Sequence, residues 1–185
     1  MTTSPLPAGL DLSFDAVDLI HKPGAHREVH RTITAEEQVG NPIMGVKPGT
    51  EITLRAHLES VVEGIFVSGT ADSTISGECS RCLDEISDEV SVRIGDLFTY
   101  PEKIPADMDP EEAEDIPLME GDTVDLGHMV HDAFAVAAPF RPLCSEDCLG
   151  LCDQCGFRME DDPEHEHVVI DPRFAALADF FPKEK

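Results

Sequence analysis

The clearest pattern along the chain lies in residues 51–59, where Ile52, Leu54, Ala56 and Leu58 alternate with Thr53, Arg55, His57 and Glu59. A period of two puts the apolar set on one side of an extended strand and the polar set on the other. Glu63 and Gly64 mark a turn. Residues 64–76 follow as a β-branched run in which Gly69 stands where a bulge or bend is expected. Beyond Gly77 comes the turn Cys79-Ser80-Arg81-Cys82-Leu83, after which Val90, Val92 and Ile94 alternate again towards Leu97 and Phe98. These segments predict an antiparallel meander of three strands, with the cysteine pair in its second hairpin turn. Residues 10–20 alternate only at their start, which leaves a first strand and an extended lead-in both open.

Further on, the apolar period lengthens to that of a helix. Leu126, Met129, Val130, Ala133, Phe134 and Ala137 share one face, Asp125 is placed to cap and Pro139 to stop, so a helix is predicted over residues 126–138. Near the C-terminus, Val168, Val169 and Ile170 read as a short strand. Asp171 and Pro172 open a last helix that buries Phe174, Leu177, Ala178 and Phe181. The Pro- and Ser-containing start predicts a flexible tail over residues 1–12, followed by a single α+β domain over residues 13–182.

Composition adds that the core is adequate but not generous: of 185 residues 41% are hydrophobic, Trp is absent and Tyr100 is the single Tyr. Charge changes the picture more. Against 38 acidic residues stand 13 Lys and Arg, a net charge of -25. Such a surface repels phosphate backbones and attracts basic partners, whereas a nucleic-acid binder presents a basic face. One basic island exists, formed by His21, Lys22, His26, Arg27, His30 and Arg31. It reads either as a contact for RNA or an acidic partner, or as a solvated loop and edge strand whose charges meet the chain's own carboxylates. An isolated cluster favours the second reading. Residues 101–125 carry ten carboxylates against Lys103, and Pro101, Pro105, Pro110 and Pro117 bar a long helix. A mobile acidic loop over residues 101–124 is predicted, either an electrostatic arm or a solubilising linker. The N-terminus has neither a charged nor an apolar signal region, and the longest near-apolar run, residues 133–140, is too short to span a bilayer. A cytoplasmic address without membrane contact is expected, where thiols stay reduced and available to metal.

The candidate chemistry is concentrated in residues 142–167, which hold Cys144, Cys148, Cys152, Cys155, His165 and His167. With Cys79 and Cys82 these make eight soft ligands, enough for two tetrahedral sets of four. Short C-x2-C and C-x3-C steps let a tight turn aim two sulfurs at one ion, so one or two structural zinc ions are expected, held by Cys/His knuckles. Two groupings compete. In the first, Cys79 and Cys82 join Cys144 and Cys148, while Cys152, Cys155, His165 and His167 form a second set. In the other, Cys79 and Cys82 pair with Cys152 and Cys155, leaving Cys144 and Cys148 with the histidines. The first is preferred because C-x2-C-x9-H-x-H closes locally with little loss of loop entropy. Imidazoles also spare an acidic neighbourhood two further negative charges. His128 and His131, three apart on the predicted helix, are expected to be surface or packing residues. The C-x-x-C pairs match disulfide-exchange spacing, but no βαβ unit surrounds them. No nucleophile elbow, phosphate loop or H-E-x-x-H signature is present, and no enzyme is expected. The fold class expected is therefore α+β: an antiparallel β-sheet or partly open barrel with two short helices and zinc knuckles.

Three blocks occur in order: G-E-C-S-R-C-L-D-E-I at 77–86, D-L-G-H-M-V-H-D-A-F-A-V-A-A-P-F-R-P-L-C-S-E-D-C-L-G-L-C-D-Q-C-G at 125–156, and I-D-P-R-F-A-A-L at 170–177. In this combination the chain resembles the YceD family, the large ribosomal RNA subunit accumulation proteins. By position, Cys79, Cys82, Cys144, Cys148, Cys152 and Cys155 match the family's cysteines, whereas His165 and His167 stand where many members place C-x-C. Some relatives lack much of the C-terminal cluster, which makes metal a scaffold rather than a mechanism. The resemblance implies a bacterial cytosolic factor supporting accumulation or processing of large-subunit rRNA, with a relative in plastids. Three activities are then in contention. The first is a non-enzymatic, metal-stapled acidic adaptor in ribosome assembly, engaging a basic ribosomal protein or an rRNA-processing factor and so associating with rRNA indirectly. The second is a zinc protein binding RNA directly through the basic island, and the third a thiol-disulfide oxidoreductase.

Overall fold

The structure, a computed structural model, describes residues 10–109, 112 and 116–167. Eight strands run in order: β1 (Ser13–Asp15), β2 (His26–Thr34), β3 (Val39–Gly40), β4 (Met44–Val46), β5 (Glu51–Ser60), β6 (Gly64–Glu78), β7 (Glu85–Thr99) and β8 (Thr123–Asp125). One complete α-helix, α1 (Gly127–Ala137), follows them. Among the described residues the fold is thus mostly antiparallel sheet with one complete α-helix. The last expected helix and the short strand before it fall outside the described residues, as do residues 1–9 of the tail. Among the described residues no helix is long and apolar enough to cross a membrane.

The predicted meander is the centre of the sheet. Strand β6 pairs along its full length with β7, and on its other side with β5 and then, at its far end, with β4. Strand β2 lies outside β5, and β3 outside β4. Among the described residues no pairing joins β2 to β7, so the sheet found there is not closed into a barrel. The period-two pattern is realised directly: Ile52, Leu54, Leu58, Ile65, Val67 and Ile75 are buried on one face. That face is covered by α1, through Val130 and Phe134, and by the N-terminal segment through Leu12 and Leu19. Each such side chain contributes roughly 1.5–3 kcal/mol on burial.

Four local expectations are corrected. Gly69 sits at no bulge, because the registers of β6 with β5 and β7 pass through Ala56 and Ile94 without interruption. Glycine is present for closeness instead: a Cβ there would lie 2.2 Å from the Arg55 carbonyl oxygen and 2.7 Å from the Ala56 Cα. Leu10 and Leu12, assigned to a flexible tail, are buried, because their side chains help to close the core. The acidic loop is ordered at its C-terminal end, where β8 pairs with β1 and the Ala16 N–H donates to the Asp122 carbonyl (2.8 Å). Met119 and Val124 turn inward there between outward carboxylates, a direction that composition cannot register. Finally, the helix begins one residue later than expected, and Asp125 accepts the Gly127 N–H (2.9 Å) without being the N-cap residue.

The basic island is split: His21, Lys22, His26 and His30 are exposed, while Arg27 and Arg31 are half-buried. Arg27 and Arg31 occupy core-side positions of β2, opposite Leu58 and Leu54 of β5. Their heads reach back to the N-terminal segment, Arg27 to Asp18 (2.8 Å) and Arg31 to Asp11 (3.5 Å) and across the ring of Phe14 (4.4 Å). Their stems seal the edge of the core while the charges stay at its rim. Gly69→Ala is expected to lower stability by about 1–3 kcal/mol through strand crowding, read as a lower urea midpoint with unchanged slope.

Candidate metal centres

The turn between β6 and β7 folds as a knuckle. The Cys79 N–H donates to the Asp84 carbonyl (2.8 Å) and the Leu83 N–H to the Cys79 carbonyl (3.0 Å), with Leu83 at φ 63. The Arg81 N–H points at the Cys79 sulfur (3.5 Å), so both thiols leave the turn on one side. The chain returns to this turn after α1. Pro142 accepts the Ser80 N–H (2.8 Å), which delivers Cys144, and the Cys148 N–H closes a tight turn on the Ser145 carbonyl (3.2 Å). Arg81 fastens the two segments: its guanidinium donates to the carbonyls of Glu146 (3.2 Å) and Cys148 (2.7 Å), and its own carbonyl accepts the Leu151 N–H (3.0 Å). Gly150, at φ 79, passes close over Arg81, where a Cβ would lie 3.0 Å from its carbonyl oxygen.

The result is a four-sulfur cluster of Cys79, Cys82, Cys144 and Cys148, all within 4.8 Å of one another and buried except at Cys144. Cys79 and Cys148 are 3.9 Å apart and Cys82 and Cys144 3.5 Å. Sulfurs about 2.3 Å from a tetrahedral ion are separated by about 3.8 Å, so the cluster has the dimensions of a zinc tetrahedron. These separations are far beyond a disulfide bond of about 2.05 Å, and all six cysteines are free.

A second, more exposed cluster gathers Cys152, Cys155, His165 and His167, again within 4.8 Å. Here the Cys152 N–H donates to Phe157 O (2.7 Å) and the Gly156 N–H to Cys152 O (2.8 Å), a knuckle repeated in small. Nε2 of His165 and of His167 lie 3.2 Å and 3.1 Å from the Cys155 sulfur, and the Phe157 ring stacks on His165 at 4.5 Å. An ion pair from Arg158 to Asp84 ties this loop to the β6–β7 turn. The preferred grouping is therefore the one the fold assembles, and the alternative that joins Cys79 and Cys82 to Cys152 and Cys155 is not formed. His128 and His131 belong to neither cluster, and His131 instead meets Asp132 at 3.2 Å.

The thiols do not share one acidity. The N–H groups of Cys82 and, against the opposing effect of burial, of Arg81 hold Cys79 down at about 6. N–H groups of Gln154 and Cys155 lower Cys152 likewise. Burial pushes Cys148 up, and the side-chain hydrogen bond to Cys148 raises Cys144. Four thiolates cannot crowd together unless a cation joins them. Arg81 and Arg158 escaped the sequence reading, although Arg81 lies inside the C-S-R-C motif itself. Neither C-x-x-C pair lies at the start of α1; each faces two further sulfur or imidazole groups, an arrangement that could hold an ion.

Fold and clusters together define an antiparallel-sheet protein with two Cys/His groups that can each hold a metal ion. The chain belongs to the YceD family: the family profile, described as large ribosomal RNA subunit accumulation protein YceD, matches residues 67–181. An uncharacterized protein of Mycobacterium tuberculosis is 35% identical over 173 residues, 94% of this chain and 83% of its own length. One of Mycobacterium leprae is 34% identical over 166 residues, covering 90% and 76%. The uncharacterized protein YlbN of Bacillus subtilis is 30% identical over 115 residues, covering 57% and 62%. No solved structure matches the chain significantly.

Titrating the demetallated protein with Co²⁺ should saturate its thiolate charge-transfer absorption at about two equivalents, falling to about one for His165→Ala with His167→Ala. Affinity should weaken as pH falls from 8 to 6, because the ion competes with protons for the raised thiols.

Proposed function

We propose that the chain is a non-enzymatic cytoplasmic factor supporting accumulation of large-subunit ribosomal RNA, an acidic adaptor whose C-terminal part is stapled to the sheet by zinc. Family membership supports the rRNA connection, since the profile matched carries that description. The adaptor reading rests on one observation: the guanidinium groups of the basic island are engaged within the chain, Arg27 by Asp18 and Arg31 by Asp11 and Phe14. What the protein offers outward is then the surface of a chain with net charge -25, which suits a basic ribosomal protein or processing factor and repels phosphate. Binding to rRNA is indirect in this reading.

Zinc is the ion that S4 and S2N2 tetrahedral donor sets favour. Its ligands are Cys79, Cys82, Cys144 and Cys148 at one site, and Cys152, Cys155, His165 and His167 at the other. The first would carry a net charge of about minus two, offset by the neighbouring guanidinium groups of Arg81 and Arg158; the second would be neutral amid carboxylates. Zinc is worth roughly 10–16 kcal/mol to a small zinc-binding peptide, comparable with the whole stability of about 5–15 kcal/mol of a typical domain. Metal therefore serves architecture here.

Immobilised native protein is expected to retain basic ribosome-associated proteins at low salt and release them as ionic strength rises. Retention of none at low salt, or retention of deproteinised rRNA instead, overturns the adaptor. A chelator is expected to lower the melting temperature; an unchanged melting curve removes the staple.

A further inference from the structure

Strand β7 is an edge: it pairs along its length with β6 and with no other strand among the described residues. Which of its peptide groups point outward follows from Thr99. The Thr99 N–H donates to Pro117 O (2.9 Å) and its carbonyl accepts the Met119 N–H (3.1 Å), both on the side away from β6. Outward and inward residues alternate in an antiparallel ladder, and the β6–β7 register runs unbroken from Gly64↔Thr99 to Glu78↔Glu85. Ser87, Glu89, Ser91, Arg93 and Gly95 therefore turn their N–H and C=O groups outward, and among the described residues none of these has a backbone partner. At Leu97 the outward N–H is taken by the Asp96 carboxylate (2.8 Å).

The chain itself shows that this edge accepts a strand. Residues 117–119 lie parallel against it at the Thr99↔Leu118 bridge and extend no further among the described residues. Over residues 87–95 there is no Pro, no Lys and no bulge, three of the devices that blunt an open edge, although charged residues are present. The strand's exposed charges are Asp88, Glu89 and Asp96 against Arg93, with Glu85 already paired to Lys47. A second copy could set Glu89 against Arg93, but two chains of net charge -25 repel each other overall, whereas a basic strand is attracted.

We propose that the edge of β7 over residues 87–95 takes up an extended basic segment of a partner protein as an added strand. Main-chain hydrogen bonds supply affinity, and the carboxylates select Lys- and Arg-bearing sequences. This deepens the adaptor reading, on which it rests for the partner's charge, and gives that partner a place and a conformation.

The test is residue-resolved hydrogen exchange of the full-length metal-loaded protein, with and without a short alternating Lys-Val peptide. The peptide should slow exchange at Ser87, Glu89, Ser91 and Arg93 by about tenfold or more. Ser91→Pro removes an outward N–H that β6 does not use, so the variant should fold yet lose that protection. Glu89→Lys should weaken it and serves if the proline variant does not fold. The proposal is overturned if these amides are already slow in the free monomer, because the chain then covers its own edge. Protection that grows with protein concentration alongside dimerisation also overturns it, as does peptide binding that leaves these amides unchanged. Peptide capture at the edge without retention of ribosomal proteins would remove the adaptor reading and leave the site standing. Retention by the native chain and by Ser91→Pro alike would remove the site and leave that reading.

Discussion

The long ladder between β6 and β7 is the constraint on which the rest of the structure depends. Fifteen consecutive residue pairs hold register without a bulge, so the hairpin turn with Cys79 and Cys82 stands at a fixed place and orientation. At about 3.4 Å per residue the ladder is about 50 Å long, enough for β5 and β4 to pair end to end along its other side. A slip of one residue would turn Ile65, Val67 and Ile75 to solvent and move the cysteine turn out of reach of Cys144 and Cys148. Side-chain periodicity in the sheet and ligand geometry at its tip are thus settled by one pairing.

At the far end of that ladder the contacts that place the second cysteine segment are polar. Arg81 donates to two carbonyls of the returning chain, Ser80 donates to Pro142, and Arg158 pairs with Asp84. The few cations of this acidic chain are used where backbone acceptors and carboxylates need holding: Arg81 and Arg158 at the clusters, Arg27 and Arg31 where the N-terminal segment crosses the core. These four arginines hold one segment of the chain to another from the rim of the core and of the clusters.

The sheet was legible because its strands are half-buried and alternate cleanly, as in β5. The spatial grouping of the thiols and imidazoles was legible because local closure needs little entropy and the histidines follow Cys152 and Cys155 at short range. What escaped notice was direction. Ten carboxylates over residues 101–125 concealed two residues that face the core, Met119 and, within a three-residue strand, Val124. Arg27 and Arg31 read as solvent-seeking, yet long stems let a charged residue occupy an apolar face. Gly69 resembled a bulge, because sequence does not distinguish a glycine that bends a strand from one that lets a neighbouring strand approach.

The separation in sequence between the two halves of the four-sulfur cluster has a consequence for the order of events on the ribosome. Synthesis runs from the N-terminus, so every strand of the large sheet is made before Cys144 and Cys148 emerge. Any sheet formed before then is held by strand pairing and hydrophobic burial, with the cysteine turn at its tip still lacking its two partners. Chain segments fold as they appear when their contacts are already present. Here the closure of the four-sulfur cluster is left to a segment that is made after every strand of the large sheet.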